Sequence, residues 1–131
     1  VIWPLHPRTH AALKQYGLLD ELTSSAIQLI EPLGYLEMVE LERQAALIAT
    51  DSGGVQKEAY FHQVPCVTLR DETEWVELVD SGWNHIAPPI EVNVLTTAFQ
   101  KALGSRGRPI SLYGDGDAAD KIAGRLIADI V

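Results

Sequence analysis

Apolar positions along this chain follow two rhythms in turn: short unbroken runs, and longer stretches where apolar residues return at helical spacing. Val1 to Leu5 predicts a first strand, ended by His6-Pro7 because proline cannot continue a central ladder. A helix opening at Arg8 or Thr9 holds Ala11, Ala12, Leu13 and Tyr16 and stops at Gly17. Leu18 to Ser25 fits either a short turn of helix or a loop. Ala26 to Ile30 predicts a second strand, closed by Glu31-Pro32-Leu33-Gly34. From Tyr35 a helix carries Leu36, Val39, Leu41 and Ala45, beside the acidic Glu37, Glu40 and Glu42, which read as a solvated face.

Ala46-Leu47-Ile48-Ala49 predicts a third strand, and Asp51-Ser52-Gly53-Gly54 a tight turn after it. Val55, Ala59, Tyr60 and Phe61 then recur at helical spacing with no breaker before Pro65. Val64 to Leu69 is the fourth strand, Glu74 to Val79 a short helix, and Asn84 to Ala87 a fifth strand. Val92 to Leu103 is helical by its Val94, Leu95, Ala98, Phe99 and Ala102. Gly104 to Pro109 is a loop, and a last helix from Asp117 to Ile130 lines up Ile122, Ala123, Leu126, Ile127 and Ile130. No repeat, low-complexity tract or linker interrupts this order.

Strands alternating with helices at this spacing predict an α/β fold: a Rossmann-like parallel sheet with helices on both faces and right-handed connections. Ligands of such sheets gather at the carboxyl ends of the strands. His6, Glu31, Asp51-Ser52 and Arg70-Asp71 all fall at predicted strand ends and are expected to share one rim.

The glycine turn is the stretch with the most chemistry. Two glycines allow positive φ and let a ligand approach bare backbone. Ser52 can cap the following helix, leaving first-turn N–H groups pointing outward at the positive end of the dipole, where anions bind. Glu58 follows about one turn further in, within reach of a sugar hydroxyl. The same residues also suit an ordinary capped helix after a glycine turn.

Composition narrows the field. The chain has 131 residues, 47% hydrophobic and 21% charged, which suits one globular domain with a core. No apolar run approaches the ~20 residues of a membrane span. The start, Val1-Ile2-Trp3-Pro4-Leu5, shows no basic leader or cleavage site and looks like a strand cut at its first residue, so an excised domain is expected. A formal charge of −8 argues against nucleic acid and against anionic membrane surfaces as partners. The single Cys66 sits in an apolar run and reads as a buried, inert thiol; a catalytic thiol would need a basic or helix-terminal neighbour, and none is close in sequence. His10, His62 and His85 lack metal-ligand spacing, so no metal site is expected.

Thr50-Asp-Ser-Gly-Gly-Val-Gln-Lys-Glu-Ala59, Val64-Pro-Cys-Val67 and Leu69-Arg-Asp-Glu-Thr-Glu74 together resemble the C-terminal domain of the non-hydrolysing UDP-N-acetylglucosamine 2-epimerases. Pro4-Leu-His-Pro-Arg8 and Tyr113-Gly-Asp-Gly116 extend the resemblance over nearly the whole chain. It implies that residues 1–131 are one UDP-binding domain, half of the two-Rossmann-domain architecture called glycosyltransferase B. It also implies a cytoplasmic, homodimeric parent enzyme that inverts C2 by eliminating UDP to a glycal and adding it back. No cofactor is implied. The acid–base groups would lie in an N-terminal domain, the partner of this one, so no catalytic residue is assigned here.

On that resemblance, Ser52, Gly53 and Gly54 bind the UDP diphosphate through backbone N–H groups and Glu58 holds the ribose hydroxyls. Arg70 either faces the phosphates or pairs with Asp71 or Asp51. His6 matches a histidine that helps hold a second, activating UDP-sugar rather than the family's catalytic histidine; a plain turn histidine is the other reading. Trp75-Val76 stands where better-known members carry Arg-Pro, which removes one phosphate-contacting arginine. Met38 stands where many carry a phenylalanine beside the uracil, and a core side chain is the alternative. These departures resemble a subgroup that includes epimerases of diacetamido-uronic UDP-sugars. A glycosyltransferase of the same architecture, or a catalytically silent UDP-sugar-binding domain, would use the same grip.

Overall fold

Proline sets where the first helix begins. The computed structural model describes residues 1–130, apart from the side chain of Ile130. β1 (Ile2–Pro4) is followed by α1 (Pro7–Gln15), so Pro7 both ends the strand and opens the helix. At the first helical position its fixed φ suits the helix and its missing N–H is not needed. The helix therefore starts ahead of the Arg8 or Thr9 expected. His6 is the N-cap, its Nδ1 accepting from the Arg8 N–H at 3.2 Å. Gly17, at φ +68°, ends α1 as expected; its N–H reaches the Lys14 carbonyl while Leu18 donates to that of Leu13.

The ambiguous stretch that follows is helical, α2 (Leu19–Thr23). β2 (Gln28–Ile30) then pairs in parallel with β1, Trp3 opposite Leu29. α3 (Tyr35–Gln44) opens on the Glu37 carboxylate, which accepts from the Gly34 N–H at 2.9 Å. The chain divides into two compact units within α3, Val1–Leu41 and Glu42–Val131. Hydrogen-bonded pairing follows the division: one parallel sheet, β1-β2, in the first unit and a second, β3-β4-β5, in the other. Among the described residues of the first unit, Leu5 is the buried apolar side chain.

The second unit is built on β3 (Ile48–Thr50), β4 (Cys66–Thr68) and β5 (Asn84–Ile86), all parallel, with Ala49, Val67 and His85 in register. Its helices are α4 (Gly53–Phe61), α5 (Val76–Asp80), α6 (Val92–Ala102) and α7 (Ala118–Ile130). β4 is central and buried at every position. Its alternate side chains feed two cores, as the two-residue strand period requires. Cys66 joins Ile48, Ala59 and Val64 under α4, while Val67 joins Ala87 and Ala102 under α6. α7 shows the expected apolar stripe, with Ile122, Leu126 and Ile127 all exposed.

Candidate functional site

β3 and β4 end side by side, and the loops leaving their carboxyl ends build the site. After Thr50 the chain turns through Asp51 into α4, with Ser52 as N-cap in extended conformation. The Ser52 side chain makes no cap hydrogen bond, contrary to the simplest reading of a serine there. Its N–H instead donates to Thr50 Oγ1 at 3.1 Å, which leaves its hydroxyl as the group on offer. Gly53 and Gly54 are the first two helical residues, so neither has the positive φ that the turn allowed.

Gly53 is glycine for a different reason. A Cβ there would collide with Glu74 Oε1 and come within 3.4 Å of Trp75 Nε1. The Trp75 indole donates to the Gly53 carbonyl at 2.9 Å, and Arg70 Nη1 lies 3.1 Å from Glu74 Oε2. Arg70 thus pairs with Glu74, not with Asp71 or Asp51. Both side chains are half-exposed, so the pair contributes at most ~1 kcal/mol and is readily exchanged for another anion.

A buried polar network fixes the two loops to each other. Gln56 is fully buried; its Oε1 accepts from the Thr73 hydroxyl at 2.6 Å and from Asn84 Nδ2 at 3.0 Å. Asn84 Oδ1 accepts in turn from the Thr68 hydroxyl at 2.8 Å, and the Trp75 N–H donates to Thr73 Oγ1 at 3.1 Å. α4, β5 and the Thr73–Trp75 loop therefore meet on the Gln56 amide, and Asn84 extends the network to β4.

Further along, the Lys57 ammonium lies 3.9 Å from the centre of the Trp75 ring and 4.3 Å from that of Tyr113. The two rings stand edge to face at 6.4 Å, and the Tyr113 hydroxyl donates to Glu77 at 2.8 Å. Burial, then that bond, pushes the Tyr113 hydroxyl well above the usual range; Glu77 is held low by its own backbone N–H and by Tyr113. The Trp75 indole, anchored on Gly53, thus holds the Lys57 ammonium in place.

Glu42 corrects the reading of a solvated acidic face. It is 2% exposed, and neither carboxylate oxygen has a hydrogen-bond partner. Burial, then the charge of Glu58, pushes its carboxyl up to about 7. Cys66 is buried as expected, its thiol pushed up to about 12, first by burial.

In the second unit the structure brings Ser52, Gly53, Gly54 and Arg70 together through Glu74 and Trp75, with half-buried Glu58 further along α4. His6 belongs to the first unit, where it is exposed and capping α1. An open cleft in that unit measures ≈ 610 Å³ and is lined by Pro7, His10 and Glu31 but not His6; small-ligand sites run from about 300 to 1,000 Å³. Met38 is half-buried on α3. Sequence reasoning missed Lys57, Gln56, Thr73 and Asn84. Their partners lie far along the chain, and no spacing announces them.

The UDP-N-acetylglucosamine 2-epimerase family model matches residues 1–127. The UDP-2,3-diacetamido-2,3-dideoxy-D-glucuronate 2-epimerase of Pseudomonas aeruginosa is 46% identical over 126 residues, 94% of this chain and 33% of that protein. A UDP-N-acetylglucosamine 2-epimerase of Methanococcus maripaludis is 43% identical over 132 residues, covering 100% of this chain and 34% of its own length. Among solved structures, the UDP-GlcNAc 2-epimerase of Methanocaldococcus jannaschii superposes with a TM-score of 0.86 at 41% identity, over 97% of this chain and 35% of that one. The same enzyme in complex with UDP-GlcNAc and UDP gives 0.85. The chain thus spans about a third of the length of these relatives.

Proposed function

Because the chain belongs to the UDP-N-acetylglucosamine 2-epimerase family, we propose that it is the UDP-gripping part of a UDP-N-acetyl sugar 2-epimerase. The observation that carries this is the amino end of α4, where Ser52 makes no side-chain cap and Gly53, without a side chain, packs against Glu74, the partner of Arg70. The N–H groups of a helix's first turn have no partner within the helix, and the dipole adds positive potential. A diphosphate arriving there takes the Gly53 and Gly54 amides and the Ser52 hydroxyl, and draws Arg70 from Glu74. Glu58 accepts from the ribose hydroxyls, and His6 contacts a second UDP-sugar.

In the whole enzyme, part of a glycosyltransferase-B-type fold, this grip stabilises the charge that develops on UDP as it leaves C1. The proton that leaves C2 and returns to the opposite face is handled by groups elsewhere in the protein, because inversion needs groups on both sides of the sugar. The parent acts as a cytoplasmic homodimer, without a cofactor.

Calorimetry on the full-length protein tests the grip: UDP binds more tightly than ATP or NAD, and the reverse order rejects the reading. The chemistry is tested in heavy water with UDP-N-acetylglucosamine. The full-length protein incorporates deuterium at C2 and the 131-residue chain alone does not. Exchange by the chain alone would put proton transfer on Asp51, Asp71, Glu74 or His6.

A further inference from the structure

A carboxylate without a hydrogen-bond donor lies behind the residue assigned to the ribose. Glu42, near the end of α3, is 2% exposed and neither of its oxygens is bonded. Facing it are Glu58 and His62 from α4 and the Cys66 thiol from β4. His62 Nε2 lies 3.9 Å from Oε2, beyond hydrogen-bond reach. Glu40, Arg43 and Gln44 on α3 hold interactions of their own. His62, the C-cap of α4, follows Glu58 by four residues, so both project from one face towards Glu42.

We propose that Glu42, buried without a donor behind Glu58, is a proton-linked positioning residue: neutral, it leaves Glu58 set for the ligand's ribose, and its ionisation weakens the grip on the UDP-sugar. The proposal rests on the UDP reading above. A buried carboxyl without donors is stable only while it keeps its proton, since an unpaired buried charge is costly. Burial and Glu58 together push it up to about 7, within the working range of an enzyme. Once ionised it repels Glu58, so the proton on Glu42 and the ligand on Glu58 are linked.

The test is UDP titration calorimetry on the full-length protein between about pH 5.5 and 8.5, a span that brackets a carboxyl raised towards neutrality. The wild-type dissociation constant rises roughly tenfold across it, the equivalent of one pKa unit of linkage. In Glu42→Gln it stays near the low-pH value. Should Glu42→Gln fail to fold, Glu42→Met removes the same charge with apolar bulk and carries the same expectation. A purely structural role would shift the melting temperature of either variant and leave its binding slope parallel to the wild type, which overturns the proposal. Absence of UDP binding at low pH rejects the ligand reading itself, and this inference with it. Binding that persists with an unchanged slope rejects only the role of Glu42.

Discussion

Gln56 and Glu42 are buried to the same depth, 0% and 2% exposed, yet they answer burial in opposite ways. Gln56 Oε1 receives two donors, from Thr73 and Asn84, and ties three parts of the second unit together, although its Nε2 has no acceptor among the described residues. Glu42 receives none. A neutral amide meets fixed donors and becomes a structural joint; a carboxyl without them keeps its proton and becomes sensitive to pH. Depth alone does not separate a lock from a switch. The donors that converge on the group do.

The largest effect is expected on the lock. Gln56→Leu strands the buried Asn84 Nδ2, at ~1–3 kcal/mol, and takes the acceptor from the half-buried Thr73 hydroxyl. Urea denaturation of the full-length protein should show a loss of about 2–4 kcal/mol; a loss within error of zero would mean that the network bears no weight. The switch comes next. Its folded carboxyl is raised from 4.5 to about 7, so its contribution is complete below about pH 4.5 and lost as pH rises through about 7. Glu42→Gln should therefore gain ~1–3 kcal/mol over the wild type at about pH 8.5 and almost nothing near pH 5. Melting curves across that range check it, and a constant offset would place the burial of Glu42 in doubt.

A third variant asks what the lock is for. Thr73 and Trp75 hold the loop whose Glu74 crowds Gly53, so Gly53→Ala must displace that carboxylate without touching Gln56. UDP affinity should fall roughly tenfold, about 1.4 kcal/mol, with the unfolding midpoint little changed. Unaltered affinity would move the anion site away from α4. The smallest effect supplies a scale for the others. Gln63 follows the C-cap of α4 at φ +57°, where a Cβ is strained, and the Gln63 N–H donates to Tyr60. Gln63→Gly should stabilise by ~0.5–1 kcal/mol at every pH, read in the same melts.

Much of this was legible in the residues. The strand, turn and helix around Ser52 to Glu58 could be read from apolar rhythm and two glycines, and so could every strand of both sheets. Helix starts were harder. α4 begins at Gly53, two residues before Val55, the first apolar residue of its pattern, so the glycines serve close approach rather than positive φ. The misreading of Glu42 had a signal against it. Glu42 falls four residues after Met38 and three before Ala45, on the inward stripe of α3, whereas Glu37 and Glu40 fall outside it. A glutamate on an apolar stripe is placed by its position, not by its charge. The cage of Lys57, Trp75 and Tyr113 had no signal, since stacking across such distances depends on where the loops lie in space.

Trp75 also gives the molecule an optical property. Of the three tryptophans, Trp83 is 6% exposed and donates to the Arg108 carbonyl, and Trp3 lies on β1. Trp75 alone is bonded to the first residue of α4, with an ammonium resting on its ring. Its excited state is therefore exposed to the local field of both Gly53 and Lys57. Whatever docks on the Gly53 amide changes that field and, with it, the colour and intensity of the indole emission. With Trp3 and Trp83 replaced by phenylalanine, Trp75 would report occupancy of the helix terminus directly in a fluorimeter, without a label.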